Sequence, residues 1–151
     1  MAKWIVVGSP ENFEIARERG FDMFGFKSTR RRESAEMRPG DKLVFYLTGV
    51  MKFGGIVTVE SEVFEDHTPV FKSEKKPGED YPFRVRTSPD KVLEREQWLD
   101  VKDYATRLDL TRRRGEHWRL AFQGNLHKIG EDDYQTIEQD VIEAAKRVAV
   151  S

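Results

Sequence analysis

The sequence contains no cysteine among its 151 residues. It therefore excludes disulfide bonds, thiol nucleophiles and every zinc or iron–sulfur site that needs a cysteine ligand. A chain of this length buries roughly 68 to 70% of the surface of its unfolded form, which is enough for a core without disulfides or metal. We expect a single domain over residues 1–151.

Long apolar runs are also missing. No run reaches the ~18 residues that span a bilayer, and Met1–Val7 lacks the apolar core and cleavage site of a signal peptide. Charged residues make up 35% of the chain, and the mean hydropathy is -0.68. We expect a cytoplasmic monomer with no membrane partner.

The chain has little excess of either charge, because its net charge is -1. A uniformly basic nucleic-acid-binding protein is therefore excluded. The charges are nevertheless segregated: Glu131–Glu143 carries six acids and no Lys or Arg, which leaves the rest of the chain at +5. Basic residues are concentrated at Lys27 with Arg30–Arg32, and again at Arg112–Arg114. This pattern indicates one basic face and one acidic helix, although solvated loops would carry the same runs.

The common catalytic and metal motifs are absent as well. Gly49–Gly55 has the two glycines of a phosphate loop at the right separation, but Gly55 stands where the lysine is required. No Gly-x-Ser-x-Gly elbow is present. The histidines at positions 67, 117 and 127 are far apart in the sequence and have no thiols to join. We therefore expect no metal and no cofactor, and we interpret His127 as a structural residue.

Periodicity and turn residues predict helices near both ends of the chain. A strand over Lys3–Gly8 leads into a helix over Pro10–Arg19, which Ser9 caps and Gly20 ends. A second amphipathic helix is predicted over Glu131–Val148, where apolar residues recur at helical spacing opposite acids.

The middle of the chain is dominated by predicted strands. They are expected at Leu43–Leu47, at Ile56–Phe64 after a glycine-flanked link, and at Tyr81–Thr87, with Arg84 and Arg86 on the polar face of the last. Phe21–Phe26 is interpreted as a connection, residues 66–80 as a surface loop, and Val101–Leu108 as a short helix. The fold class is therefore α+β around a mostly antiparallel, barrel-like sheet.

Aromatic residues make up 11% of the chain, and most of them must belong to the core. A few are expected near strand ends that also carry Ser9, Asn12, Thr48 and Gln123. Bases stack on such rings for roughly 1 to 3 kcal/mol each, while amides and hydroxyls read the base edge. The combination predicts a site for an unstacked base.

Several short motifs, in order along the chain, resemble those of an EVE domain. The similarity runs from Trp4 to about Ile137 and rests on Trp4-Ile5, Ser9-Pro10-Glu11-Asn12-Phe13, Arg30-Arg31-Arg32, Met37-Arg38-Pro39-Gly40-Asp41, Phe45-Tyr46-x-Thr48-Gly49, Phe53-x-Gly55-Ile56, Tyr81-Pro82 and Trp118-x-Leu120-Ala121-Phe122-Gln123-Gly124. EVE domains belong to the PUA-like superfamily and are related to YTH domains, which read methylated adenine in RNA. The resemblance implies a small, mostly antiparallel β-barrel flanked by helices. It also implies a non-catalytic reader that takes a flipped, methylated base from DNA or RNA into an aromatic pocket.

The resemblance also implies roles for individual residues. Asn12 is similar to the YTH asparagine that hydrogen-bonds the base edge, and Ser9 lies where the same group approaches from the first strand. No tryptophan matches the YTH cage, so other rings are expected to form it, Trp118 first. The expected base-binding set is Ser9, Asn12, Phe26, Tyr46, Thr48, Phe53, Trp118 and Gln123. The expected phosphate-binding set is Lys27, Arg30, Arg31, Arg32, Arg112 and Arg113, whose contribution falls with salt.

Two other functions remain open from the sequence. Some PUA-like relatives look like small amidohydrolases that act on modified nucleosides through a lysine, a hydroxyl and a carboxylate. Lys27, Thr48 and either Glu33 or Asp41 would supply such a set, and an ordered lysine–carboxylate pair at the pocket floor would favour it. The third possibility is a surface that binds a protein partner, which the lack of a cleft would favour.

Overall fold

A computed structural model describes residues 1–124 and 126–147 of the chain. The strands in that part are β1 (Lys3–Gly8), β2 (Met23–Phe26), β3 (Lys42–Leu47), β4 (Lys52–Val59), β5 (Phe64–Glu65), β6 (Phe83–Val92), β7 (Leu99–Asp100) and β8 (Leu126–Ile129). The helices are α1 (Pro10–Glu18), α2 (Arg31–Ser34), α3 (Asp109–Arg112) and α4 (Glu131–Ala145), with 3₁₀ segments at Ser28–Arg30, Arg95–Gln97, Val101–Tyr104 and Gly115–Phe122. No helix among these residues is both long and apolar enough to cross a membrane.

The strands form one curled, mixed sheet in the order β2-β6-β4-β3-β1-β8, with β5 paired to β6 and β7 paired to β4. Only the β1–β3 pairing is parallel among the described strands, and the other pairings are antiparallel. The sheet closes into a half-barrel with helices at its flanks. The predicted α+β class with a mostly antiparallel, barrel-like sheet is confirmed.

The parallel pairing brings two carboxyl ends of strands to one edge of the sheet. Register runs from Lys3 opposite Lys42 to Gly8 opposite Leu47, and the Thr48 backbone N–H continues it by donating to the Gly8 carbonyl at 2.9 Å. Beyond Gly8, the Ser9 hydroxyl accepts from the Asn12 backbone N–H at 3.0 Å, so the predicted cap of α1 is confirmed. Helix α1 therefore begins beside the end of β3.

Adjacent residues of β3 point to opposite faces of the sheet, as the pleat requires. On one face Phe45 contacts Phe13 and Phe24 with ring centroids 5.2 and 4.9 Å away. On the other face Tyr46 stacks on Phe122 at 4.4 Å and contacts Phe53 at 6.4 Å. The aromatic residues therefore divide into two clusters separated by the sheet.

Three sequence-based assignments in the sheet are wrong. The connection predicted over Phe21–Phe26 contains β2, whose four residues are all buried. The predicted link before Ile56 lies partly in β4, which begins at Lys52 and ends at Val59 instead of Phe64. Arg84 was predicted on a polar face but is 1% exposed, because the loop before β6 folds over it.

Two boundary predictions also change. The short helix predicted over Val101–Leu108 is a 3₁₀ segment that ends at Tyr104. The C-terminal helix ends at Ala145, and the predicted end at Val148 lies outside the described residues. The N-terminal helix is one residue shorter than predicted, and Gly20 follows it with φ +70°, the left-handed conformation expected there.

Asp41 fixes the opposite end of the β1–β3 pair. Its carboxylate is buried and accepts from the indole N–H of Trp4 at 3.1 Å, the backbone N–H of Arg38 at 3.1 Å and that of Ala2 at 3.0 Å. We predict that Asp41→Asn lowers the free energy of unfolding by about 2 kcal/mol, since hydrogen bonds to a charged group contribute roughly 1.5 to 3 kcal/mol. Urea denaturation measures the loss, and the exposed Asp103→Asn serves as control. Equal stability of the two variants would contradict this role.

Candidate nucleic-acid interface

A cavity of about 380 Å³ opens at the edge where β1 and β3 end. Its lining residues come from the end of β1, the start of α1, β2 and the segment after it, the residue after β3, and the loop before β6. They are Val7, Gly8, Ser9, Pro10, Glu11, Asn12, Phe24, Lys27, Thr48, Lys72, Ser73, Glu74, Lys75, Tyr81 and Gly124. The volume lies in the range of small-ligand sites.

The two strand ends supply part of the polar lining of the cavity. Ser9 and Thr48 both line it, and the backbone hydrogen bond between Thr48 and Gly8 sets their separation. The Ser9 hydroxyl oxygen accepts from the helix, so its hydrogen stays available to donate. The two strand ends therefore place two of the hydroxyl groups of the cavity at fixed positions.

Phe24 and Tyr81 supply the aromatic part of the lining. Phe24 lies on β2 and packs against Phe71 at 4.9 Å, and Phe71 contacts Tyr81 at 6.1 Å. Burial raises the pKa of the Tyr81 phenol, and hydrogen bonds with Ser73 and Asn12 partly oppose the rise. The phenol therefore stays neutral around pH 7 and presents an uncharged ring.

Residues 66–81 form one wall of the cavity, and we call this segment the cavity loop. Arg84 holds both ends of the loop by donating to the backbone carbonyls of Tyr81 and Asp80, each at 3.0 Å, and to that of Thr68. Burial lowers the pKa of the Arg84 guanidinium, and the charges of Asp66 and Asp80 oppose the shift. The buried arginine thus fixes the loop at its base.

Close backbone approach lets the cavity loop lie against β2. A Cβ on Gly25 would lie 2.7 Å from the Tyr81 carbonyl oxygen and 3.2 Å from the Phe71 ring. The Glu79 carboxylate adds a further anchor, because it accepts from the Ser28 hydroxyl at 2.8 Å and from the Tyr81 backbone N–H at 3.0 Å. The wall is therefore held from the sheet side as well as from its base.

Asn12 joins the cavity loop to α1. Its side-chain amide donates to the Lys72 carbonyl at 2.9 Å and accepts from the Lys72 backbone N–H at 2.9 Å. The residue is 3% exposed, and it also hydrogen-bonds the Tyr81 phenol. Asn12 thus lines the cavity as expected, but it pairs with the loop backbone through the donor and acceptor predicted to read a base edge.

The rings predicted for the pocket lie elsewhere. Phe26 and Phe53 are both 0% exposed, and neither lines the cavity. Tyr46 belongs with Phe53 to the aromatic cluster on the other face of the sheet, and Trp118, in the 3₁₀ segment Gly115–Phe122, does not line the cavity either. These four rings are core residues that do not line this cavity: side chains alternate along β3, which places Tyr46 on the far face of the sheet, and Phe26 and Trp118 are buried by packing.

The sequence held a signal for one of the two rings that do line the cavity. Phe24 is two residues from Phe26 and so shares its face of β2. Tyr81 belongs to the Tyr81-Pro82 motif of the resemblance, but no signal placed it at the site or marked the loop residues 72–75, because a loop's path is not encoded in a periodic pattern. Of the predicted polar residues, Ser9, Asn12 and Thr48 meet at the cavity, whereas the exposed Gln123 does not line it.

The two arginine runs, far apart in the sequence, approach the same residue. Lys27 lines the cavity, and Arg30 from the first run and Arg114 from the second both act electrostatically on His127. The other members of the runs, Arg31, Arg32, Arg112 and Arg113, are exposed. Of the basic residues in the two runs, Lys27 lines the cavity and Arg30 lies beside Gly124 on its lining.

We predict that Asn12→Ala loosens the cavity loop without unfolding the domain. It removes two hydrogen bonds to Lys72, which corresponds to about 1 to 2 kcal/mol in the free energy of unfolding. The Lys72 amide should exchange its hydrogen faster, as NMR can measure. Gln135→Ala removes an exposed side-chain amide on α4 and serves as control. Unchanged protection of the Lys72 amide would show that Asn12 does not hold the loop.

The pH dependence of the loop base can also be predicted. The His67 ring hydrogen-bonds Glu65 and Asp80, each at 2.7 Å, and these two carboxylates raise its pKa above the ordinary value. Because the folded-state pKa is raised, the stabilising contribution is complete below about pH 6.5 and is lost as pH rises through the folded-state pKa. NMR titration should show that the pKa of His67 lies above its ordinary value. The substitution Asp80→Asn should lower this pKa, and the control Asp103→Asn should leave it unchanged. Titration at or below the ordinary value would contradict this assignment.

Comparison with known proteins agrees with the fold. A UPF0310 protein of Pyrococcus abyssi is 30% identical over 147 residues, which cover 91% of this chain and 98% of the relative. The solved structure of Rpa0253 from Rhodopseudomonas palustris matches with a TM-score of 0.63 at 15% identity, covering 95% of this chain and 94% of that one. The Mmi1 YTH domain, solved in complex with RNA, matches with a TM-score of 0.62 at 11% identity, covering 95% and 79%. Residues 2–140 match the EVE domain, and the chain belongs to the EVE domain family.

Proposed function

We propose that this EVE domain binds a nucleic acid and takes one flipped, modified base into the cavity at the ends of β1 and β3. The observation that carries the proposal is the juxtaposition of two elements: a cavity lined by hydroxyl groups and two aromatic rings, and the basic residues Lys27 and Arg30 beside it. The similarity to a YTH domain solved with RNA supports it. In this proposal the domain binds the base and catalyses no reaction.

The cavity has groups for both parts of a base. The rings of Phe24 and Tyr81 offer apolar surface to its face, and the hydroxyls of Ser9 and Thr48 offer hydrogen bonds to its edge. Asn12 contributes by holding the Lys72 backbone in place. Its amide can hydrogen-bond the base edge only when its two hydrogen bonds to Lys72 break. This arrangement replaces the cage of Phe26, Tyr46, Phe53 and Trp118 that the sequence predicted.

A methyl group on the base would be recognised by removal of its apolar surface from water. The gain is roughly 25 cal/mol per Å², so one enclosed methyl contributes about 1 kcal/mol, which is close to tenfold in affinity. The neutral phenol of Tyr81 suits this mode, because a methylated base amine is uncharged and offers no cation to the ring.

The basic residues would hold the phosphates that flank the flipped base. Lys27 lies at the cavity, and Arg31, Arg32, Arg112 and Arg113 present exposed guanidinium groups. Such contacts position the strand without reading its sequence, and they weaken as salt displaces them.

The amidohydrolase alternative finds only part of its residue set at the cavity. Lys27 and Thr48 line it, but Asp41 precedes β3 and lies roughly 20 Å away, at about 3.3 Å per strand residue. Glu33 pairs with Arg30 at 3.4 Å. Among the described residues, the lysines and glutamates of the cavity lining form no ion pair with one another. The ordered lysine–carboxylate pair that would favour hydrolysis is therefore lacking in this part of the chain.

The proposal is tested by measuring binding to single-stranded DNA and RNA oligonucleotides, with and without methylated bases, at two salt concentrations. We expect the modified oligonucleotide to bind about tenfold more tightly at both salts. Thr48→Val should weaken binding about fivefold through loss of one hydrogen bond, whereas the exposed Thr106→Val should not. Lys27→Gln should lower affinity for modified and unmodified strands alike and reduce the salt slope by about one. Equal affinity for all oligonucleotides would contradict recognition of a modified base in the cavity. Absence of binding to any oligonucleotide would contradict the whole proposal.

A further inference from the structure

Two buried nitrogen atoms beside the cavity have no hydrogen-bond partner within residues 1–124 and 126–147. They are Nε of Arg30 and Nε2 of His127. Buried polar atoms in folded proteins are almost always hydrogen-bonded, and the exceptions call for an explanation such as a missing ligand. Two such atoms from separate elements, the 3₁₀ segment after β2 and strand β8, point to one ligand between them.

Gly124 lies between this place and the cavity. A Cβ on Gly124 would lie 3.3 Å from Nη2 of Arg30 and 3.8 Å from Nε2 of His127, so both groups border the space that the glycine leaves unfilled. Gly124 also lines the cavity, and its φ of +85° is one that other residues rarely adopt. A group bound to Arg30 and His127 would therefore adjoin a base in the cavity.

The charge at this place favours an anion. Burial lowers the pKa of His127, the positive charges of Arg30 and Arg114 lower it further, and a hydrogen bond with the Gln123 backbone opposes these effects. Glu33 is the acidic partner of Arg30, but it bonds Nη1 at 3.4 Å and leaves Nε free. The positive groups around His127 thus outnumber the negative ones, and an anion would relieve their repulsion.

We propose that Arg30 and His127, with Arg114 nearby, form a subsite for one phosphate group, that of the nucleotide whose base enters the cavity. The subsite rests on the proposed function and deepens it, because the bound phosphate and the bound base then belong to the same nucleotide. His127, whose sequence context indicates a structural residue, becomes a ligand-binding residue in this proposal. Exposed arginines such as Arg31 and Arg113 then hold neighbouring phosphates without setting the register.

Phosphate binding at this subsite takes up a proton. His127 bonds the Gln123 backbone through Nδ1, since Nε2 has no partner, so the neutral ring offers only a lone pair at Nε2. A phosphodiester oxygen has no hydrogen to give, and Nε2 must therefore be protonated to donate to it. Affinity consequently rises as pH falls, by up to tenfold per pH unit between the bound-state and the free-state pKa of His127.

The test compares variants in oligonucleotide binding between pH 5.5 and 8. Arg30→Gln should weaken binding about tenfold, equally for modified and unmodified strands, and lower the salt slope by about one. His127→Gln supplies a donor that needs no protonation, so it should bind at pH 8 at least as well as the wild type and lose most of the pH dependence. His117→Gln, whose ring is 72% exposed, should keep the wild-type pH dependence. A His127→Gln profile identical to the wild type would overturn the subsite while base-dependent binding still supports the reader.

A second measurement separates the subsite from the reader. Sulfate, which does not titrate in this range, should raise the pKa of the His127 ring in NMR titrations of the wild type and not of Arg30→Gln. A response to sulfate without binding of any oligonucleotide would support the anion subsite and overturn the proposed function. A ring that responds neither to sulfate nor to an oligonucleotide that binds would overturn the subsite alone.

Discussion

The parallel pairing of β1 with β3 is the constraint from which the candidate site follows. In a sheet whose other described pairings are antiparallel, it sends two chain segments off the same edge, and it fixes them with the hydrogen bond from Thr48 to Gly8. Helix α1 must start at that edge, because Ser9 caps it immediately after the strand. Ligand cavities commonly form where neighbouring parallel strands end, and the hydroxyls at this edge give the present one its polar character.

The cavity exists because a loop without secondary structure of its own is held against the sheet by side chains from outside it. Arg84, Asn12 and Ser28 contact the loop chiefly through backbone carbonyls, a backbone N–H and the Glu79 carboxylate. Each anchor satisfies polar groups that burial would otherwise leave unpaired. The buried charge of Arg84 therefore has a positional role, which the alternation of polar and apolar residues along β6 does not reveal.

Secondary structure was predictable from the sequence where single residues or a regular apolar spacing fix the ends of an element. The Ser9-Pro10 start, the Gly20 end and the apolar spacing of α4 give these elements to within a few residues. Strand β2 was missed because Gly25 interrupts a short apolar run, and its reason is tertiary: only a glycine lets the Tyr81 backbone approach so closely. The polar members of the candidate site were predictable because they follow strand ends. Its rings were not, since seventeen aromatic residues compete for the role and only the packing separates the two clusters.

The anchoring of the loop through its main chain has a consequence for how this scaffold can diversify. Asn12 grips Lys72 by atoms that every residue except proline possesses, so the wall keeps its shape whichever side chains stand at 72 to 75. Those same residues line the cavity. Substituting these residues would change ligand preference with little loss of folding stability. The segment is therefore a position where specificity can diverge between relatives and where new specificities can be selected in the laboratory.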